Sequence, residues 1–160
     1  MTLNFTSARR HVPGSERGSA SVEFAVTASV LFLTLIGLMK ICLAIYSYHY
    51  VSEAAREGAR FAMVRGSACS GFTSACPAAS ADVQTYVRNR GYPGIVSTNM
   101  TVTTTWAAYP TGSPCTPSST CNNPGNLAKV KASYSFPLSI PWGPTRTLTM
   151  TSTSEMVISQ

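Results

Sequence analysis

The stretch Arg17-Gly18-Ser19-Ala20-Ser21-Val22-Glu23-Phe24 opens an apolar run that continues to Met39 and resumes after Lys40. About 20 apolar residues cross a bilayer as a helix, because the hydrocarbon core is about 30 Å thick and a helix rises 1.5 Å per residue. The run therefore predicts a transmembrane helix over residues 19–50. Glu23 is a functional-site candidate, because an ionised side chain inside the hydrocarbon costs a few kcal/mol.

The residues around Gly18 form a recognisable signal. Glu23 is the fifth residue after Gly18, Phe24 follows it, and Arg9, Arg10 and Arg17 precede the glycine. This spacing resembles a type IV prepilin signal. The resemblance implies that a membrane-embedded prepilin peptidase cuts between Gly18 and Ser19 and removes residues 1–18 as a leader.

The resemblance also implies a role for the carboxylate in subunit assembly. The new α-amine of Ser19, with a pKa of about 8, would be mostly cationic and would pair with Glu23 of a neighbouring subunit. Two alternatives stay open. Glu23 could be an acid at the cytoplasmic headgroup level, favoured there by the helix dipole, or the run could be a secretory signal, although it exceeds the roughly 7–15 apolar residues of one.

Composition restricts the location and the partners of the chain. The 160 residues leave room for one modest domain beside the helix. The net charge of +6 comes from scattered residues without a basic run interleaved with aromatics, so nucleic-acid binding is not expected. The excess of Arg before the helix follows the positive-inside rule, which predicts a cytoplasmic N-terminus and an exported C-terminal part.

The residues that follow the membrane run predict that the helix continues over residues 51–66, because they are rich in helix formers and contain no Pro. Small residues recur there at helical spacing and form what we call the small-residue stripe: Ala54, Ala55, Gly58, Ala59 and Ala62. Such a stripe allows close packing of a partner helix. It could equally pack on the chain's own C-terminal domain, and both alternatives stay open.

Two motifs together resemble the TadE-like family: the one around Gly18 before the membrane helix, and Ala54-Ala55-Arg56-Glu57-Gly58-Ala59-Arg60 after it. Members are small single-pass proteins encoded with the machinery of the tight-adherence (Flp, type IVc) pilus and regarded as minor pseudopilins. The resemblance implies the bacterial inner membrane as location. It implies a prepilin peptidase, other pilin or pseudopilin subunits and the pilus assembly platform as partners.

The resemblance covers residues 17–65, about a third of the chain. TadF and TadG-like proteins share the N-terminal motif and stay open as identities. The alternative from another class is an uncleaved signal-anchored adhesive or scaffold module that never enters a filament.

Residues 67–160 predict a small exported domain, so the fold class is α+β, with a long N-terminal transmembrane helix that extends outward. Ser80 is predicted as the N-cap of a short helix that ends before Gly91. Strands are predicted at 101–106, 127–136 and 145–158, forming an antiparallel sheet with one exposed face. The segment 109–126 is predicted as a long exposed loop, either a contact surface or a disulfide-pinned excursion.

Four of the five cysteines lie in the exported part, at Cys69, Cys76, Cys115 and Cys121, whereas Cys42 lies in the membrane helix. An even number in an oxidising compartment predicts two disulfides, and a local pairing would close two short loops. Crossed pairings stay open. A metal site is not expected, because the sequence lacks Cys-x-x-Cys spacing and has no His beyond residue 49.

Catalysis is not expected from this sequence, and neither is a cofactor. An active site needs titratable or nucleophilic groups that converge in a cleft. Beyond residue 60 the acids are Asp82 and Glu155, and each has a plausible structural place. The sequence therefore favours a role in assembly over a chemical one.

Overall fold

A computed structural model describes residues 17–115, 121–139 and 143–159 of the chain. Its elements in chain order are α1 (Arg17–Met63), α2 (Ser80–Asn89), β1 (Met100–Ala108), β2 (Ser113–Pro114), β3 (Leu127–Leu138) and β4 (Arg146–Val157). A 3₁₀ turn at Ser97–Asn99 precedes β1. The chain divides into two compact units between Met39 and Lys40, and each unit is described by itself.

The first unit contains the N-terminal part of α1, whose apolar side chains are exposed. Phe24 is 75% exposed and Phe32 63% exposed, and the large apolar residues between them, Val26, Val30 and Leu31, are exposed as well. A helix that is apolar all round is typical of a membrane span. Among the described residues, α1 is the one helix long and apolar enough to cross a membrane, which is compatible with a single-pass anchor.

The hydroxyl groups of this apolar stretch make hydrogen bonds within the helix itself. Thr27 donates to the carbonyl oxygen of Glu23 at 2.8 Å, Ser29 donates to that of Ala25 at 2.6 Å, and Thr34 donates to that of Leu31 at 2.7 Å. Hydrocarbon offers no water to a polar group, so an internal partner makes each hydroxyl compatible with lipid.

The second unit is built on a four-stranded antiparallel sheet with the order β2-β1-β3-β4. In the register, Val102 of β1 lies opposite Ala132 of β3, and Tyr134 of β3 lies opposite Met150 of β4. Together with the N-terminal helix, the short helix and two cysteine pairs at disulfide distance, this sheet confirms the predicted α+β class.

One face of the sheet forms the core of the second unit. The buried residues of β3 alternate with exposed or half-buried ones as predicted; they are Ala128, Val130, Ala132, Tyr134 and Phe136. Val83 and Val87 of α2 join the same cluster, and so do the buried residues on one side of α1, which are Tyr50, Val51, Ala54, Ala55, Ala59 and Ala62. The C-terminal part of α1 is therefore a core element of this unit.

The start of α2 differs from the prediction by one residue. The N-cap is Ala79 and not Ser80, which is the first helical residue. The Asp82 carboxylate accepts a hydrogen bond from the Ala79 N–H at 2.8 Å, while the Ser80 hydroxyl accepts one from the Thr104 N–H at 3.1 Å. The serine therefore ties α2 to β1, and the Asp82 carboxylate reaches back to the N–H of the N-cap residue, which is the second contact of a capping box.

The predicted loop at 109–126 contains a strand that the sequence pattern did not indicate. Ser113 and Pro114 form β2 and pair with Ala108 and Ala107 of β1. A strand of two residues is too short to show an alternating pattern. Residues 116–120 of this predicted loop lie outside the described residues.

Candidate assembly site

The predicted processing site lies at the start of α1. Gly18 and Ser19 belong to the first turn of the helix, and Ser19 is exposed. A Cβ atom added at Gly18 would meet nothing within 4 Å. The leader predicted over residues 1–18 lies, up to residue 16, outside the described residues. Cleavage after Gly18 stays a prediction.

Glu23 and Phe24 lie one turn further along the helix, and both are exposed. Among the side chains that the structure describes, Glu23 makes no ion pair. Ser19 and Glu23 are four residues apart, so they are about 6 Å apart along the helix axis, on neighbouring turns of one face. An amine at Ser19 and the Glu23 carboxylate would therefore be available to a neighbouring helix on the same side.

The small-residue stripe lies in the core of the second unit. Ala54, Ala55, Ala59 and Ala62 are all at most 3% exposed. The stripe is thus covered by the chain's own domain, which corresponds to the second of the two alternatives. A partner helix would reach these residues only if the domain opened.

Gly58 shows why the stripe requires small residues. A Cβ atom at this position would lie 2.9 Å from Cγ1 of Val130, 3.2 Å from Cγ2 of Val87 and 3.4 Å from Cγ1 of Val83. Steric repulsion keeps the Cβ atoms of proteins from approaching other heavy atoms more closely than about 3.0 Å. Glycine therefore lets α1 approach both α2 and β3 closely.

Charged residues flank the stripe on the exposed side of α1. Arg56 lies 4.0 Å from Glu53, Arg60 lies 3.6 Å from Glu57, and Arg90 of α2 lies 3.5 Å from Glu57. The first two are the attractive i,i+3 pairs expected on a helix surface. Exposed pairs of this kind contribute about 0–1 kcal/mol each.

Arg90 also contacts an aromatic side chain. Its Nε donates a hydrogen bond to the Tyr86 hydroxyl at 3.1 Å, and this bond raises the pKa of the guanidinium above its ordinary value. Arg90 therefore stays cationic and connects α2 to Glu57 of α1 at all physiological pH values.

The four cysteines of the second unit beyond α1 lie in two local pairs. The Cα atoms of Cys69 and Cys76 are 5.9 Å apart, and those of Cys115 and Cys121 are 6.0 Å apart. Both distances are typical of disulfides. Cys42 is a free, exposed cysteine on α1.

The two acids weighed for catalysis have structural contacts. Asp82 accepts the hydrogen bond from the Ala79 N–H, and Glu155 pairs with Lys129 across β3 and β4 at 2.5 Å. Within the described ranges, no three His, Cys, Asp or Glu side chains lie close enough to hold a metal ion.

Two tertiary contacts were missed by the sequence reasoning. The guanidinium of Arg65 lies between two aromatic rings, 3.9 Å from the Phe61 centroid and 4.2 Å from the Phe72 centroid. Tyr50, predicted near the membrane boundary, is buried, and its hydroxyl donates to the sulfur of Met100 at 3.3 Å. Phe61 and Arg65 are four residues apart within the predicted helix 51–66, and this spacing was the available signal for the first contact, although α1 ends at Met63.

Comparison with known proteins gives one match, and it falls on α1. No characterised protein and no solved structure shows significant similarity to the chain. The model of one family, described as TadE-like protein, matches residues 18–60, about a quarter of the chain. The matched segment contains Gly18, Glu23 and the small-residue stripe up to Ala59, and this identifies residues 18–60 as a TadE-like segment.

Proposed function

We propose that this chain is a TadE-like minor pseudopilin that acts in the assembly of a tight-adherence (Flp, type IVc) pilus. One observation carries the proposal: the residues that match the TadE-like family form a helix with an exposed apolar surface and an exposed carboxylate near its start. The family match suggests involvement in a Tad/Flp pilus system. The pseudopilin role and the processing step are the finer parts of the proposal.

In the proposed mechanism a prepilin peptidase cuts between Gly18 and Ser19. The new amine of Ser19 then approaches Glu23 of a neighbouring subunit when the two helices are offset by about one turn, or about 6 Å. Each charge alone would be costly next to lipid, and the pair offsets part of that cost. Correct axial offset of the subunits is therefore favoured over other offsets.

The exposed apolar surface of α1 before Tyr46 supplies the contacts with other subunits in this proposal. The small-residue stripe is already occupied by α2 and β3, as the burial of Ala55 and Ala59 indicates. Partner helices of the pilus machinery would therefore pack on the membrane part of α1, and the second unit would face the assembly platform or the growing filament.

The proposed location is the bacterial inner membrane, with the N-terminus in the cytoplasm and the second unit outside. Support comes from the Arg residues before the apolar run and from the two cysteine pairs at disulfide distance. Positive residues stay on the cytoplasmic side, and disulfides persist in oxidising compartments.

The first test is the intact mass and N-terminus of the protein from its native membranes, with and without the prepilin peptidase. We expect a peptidase-dependent start at Ser19. A start at Met1 or Thr2 in both strains would contradict processing and favour the alternative, an uncleaved signal-anchored adhesive or scaffold module.

The second test concerns charge pairing. We expect Glu23→Gln to leave membrane insertion intact and to abolish co-purification with other pilin-like subunits, because the neutral side chain no longer favours the amine. Glu53→Gln removes a half-buried carboxylate from the same helix, outside the proposed pairing site, and should leave co-purification unchanged. Equal co-purification of the two variants would refute the proposed role of Glu23.

A further inference from the structure

An apolar groove lies in the second unit between α1 and the first half of β4. It is lined by Ala44, Ile45 and Tyr48 of the helix and by residues 148–151 of the strand, and its volume is about 400 Å³. Leu148 shares a sheet face with the buried Met150, yet it is 47% exposed. Strand alternation predicts a covered side chain at this position, so the sheet face continues beyond what the domain itself covers.

The lining of the apolar groove contains no charged side chain. The next cleft along α1, of about 340 Å³, is different, because His49, Glu53 and Arg56 line it. Ile45 and Tyr48 are each 55% exposed and lie one turn or less apart on the helix. A contiguous exposed apolar surface of this kind marks an interaction site.

We propose that the apolar groove rests in the interfacial layer of the membrane, so that the beginning of β4 contacts lipid. This inference relies on the proposed membrane anchoring by α1. Counting about 30 Å of hydrocarbon from Glu23, at 1.5 Å per residue, places the far edge near residue 43 for a helix close to the membrane normal. Ala44, Ile45 and Tyr48 are the next residues on the helix.

The surface of α1 next to the groove is also apolar within the second unit. Ile41, one turn before Ile45 on the same face of the helix, is 57% exposed. Lys40, one turn before Ala44, has a stem long enough to place its amine among the headgroups. Tyr48 is an amphipathic aromatic residue of the type enriched at the membrane–water interface.

A lipid occupant also accounts for the open shape of the groove. Acyl chains and glycerol backbones are fluid and fill a shallow surface without a matching shape, whereas a protein partner would need complementary side chains. Contact at this level would hold the beginning of β4 about 5–10 Å into the boundary between headgroups and acyl chains. The second unit would then be held against the membrane at two places, α1 and β4.

The test measures depth in the full-length protein, reconstituted at one copy per phospholipid nanodisc. In a Cys42→Ser background, the remaining four cysteines are paired in disulfides and do not react with a thiol label. A single introduced cysteine can therefore carry an environment-sensitive fluorophore. Labels at Leu148→Cys and Tyr48→Cys report on the groove. A label at Thr153→Cys reports on an exposed part of β4 away from the groove, and a label at Leu31→Cys reports on the membrane part of α1. Tyr48→Cys serves independently if the variant at Leu148 does not fold.

We expect the groove labels to be quenched by spin labels attached to lipid at a shallow depth and to be several-fold less accessible to aqueous iodide than the label at Thr153. Equal iodide accessibility at Leu148, Tyr48 and Thr153, with lipid quenching kept at Leu31, would overturn the inference and leave the anchoring intact. Absence of lipid quenching at Leu31 would refute the anchoring itself. Protection of the groove labels only in discs with two copies would overturn the inference in favour of a second copy as the occupant.

Discussion

Replacement of Gly58 by alanine tests whether the small-residue stripe belongs to the domain core. At an exposed position of a helix, replacing glycine with alanine raises the free energy of unfolding by about 1 kcal/mol, because glycine loses more conformational freedom on folding than alanine does. Here the new methyl group would lie 2.9 Å from Cγ1 of Val130 and 3.2 Å from Cγ2 of Val87. Excess volume in a packed core costs about 1–3 kcal/mol.

The upper half of that range applies to Gly58, because valine side chains are stiff and the two that would clash belong to different elements. We therefore expect Gly58→Ala to lower the free energy of unfolding by about 1–2 kcal/mol after the gain in helix propensity is subtracted. Gly58→Leu adds three further carbon atoms at the same place and should destabilise more.

The assay is urea unfolding of the detergent-solubilised full-length protein, followed by the fluorescence of the buried Trp106 in a Trp142→Phe background. With a urea dependence of about 2 kcal/mol per M, the midpoint of unfolding should fall by roughly 0.5–1 M for Gly58→Ala. Gly37→Ala is the matched control, because an added Cβ at Gly37 meets nothing within 4 Å. An unchanged or raised midpoint for Gly58→Ala would refute the packing of α1 on α2 and β3.

Two further predictions concern the stability of the second unit. Replacing both Cys69 and Cys76 with alanine should lower the free energy of unfolding by about 2 kcal/mol, because the cross-link closes a short loop with a sequence separation of 7. The original protein treated with reductant provides the comparison. An equal urea midpoint for the double variant and the original protein under oxidising conditions would contradict this stabilisation. Arg65→Met keeps an aliphatic side chain between Phe61 and Phe72 but removes the guanidinium, so we expect the free energy of unfolding to fall by about 1 kcal/mol in the same assay. Arg56→Met, at an exposed position, should lower it by less. Equal effects of the two substitutions would exclude a stacking contribution of Arg65.

Local periodicity predicted the elements of this fold well. The alternation along β3 and the unbroken apolar run of α1 are properties of neighbouring residues, so they are visible in the sequence. The existence of the small-residue stripe was visible for the same reason. What packs against it was not, because Val83, Val87 and Val130 reach Gly58 from distant parts of the chain.

The features that the sequence did not predict depend on tertiary contacts. Ser80 was expected to cap α2, but its hydroxyl bonds to β1, a choice that depends on where Thr104 lies. Tyr50 was expected near the membrane boundary, but Met100 and Tyr92 surround it in the core. The apolar groove likewise exists only because β4 lies beside the helix. For the candidate assembly site, the position of Glu23 on the helix was predictable, whereas the partner proposed for it, the amine of a neighbouring subunit, lies outside this chain.

If α1 anchors the chain as proposed, its part from Tyr50 to Ala62 has a consequence for release of the protein from the membrane. Because Val51, Ala55 and Ala59 complete the core, a protease that cut after the helix, near residue 66, would separate the sheet from one of its own walls. The freed C-terminal piece would expose Val130 and its neighbours to water and would aggregate or be degraded. Shedding of a soluble, folded domain is therefore not available to this architecture unless the cut falls before Tyr50, on the apolar part of the helix.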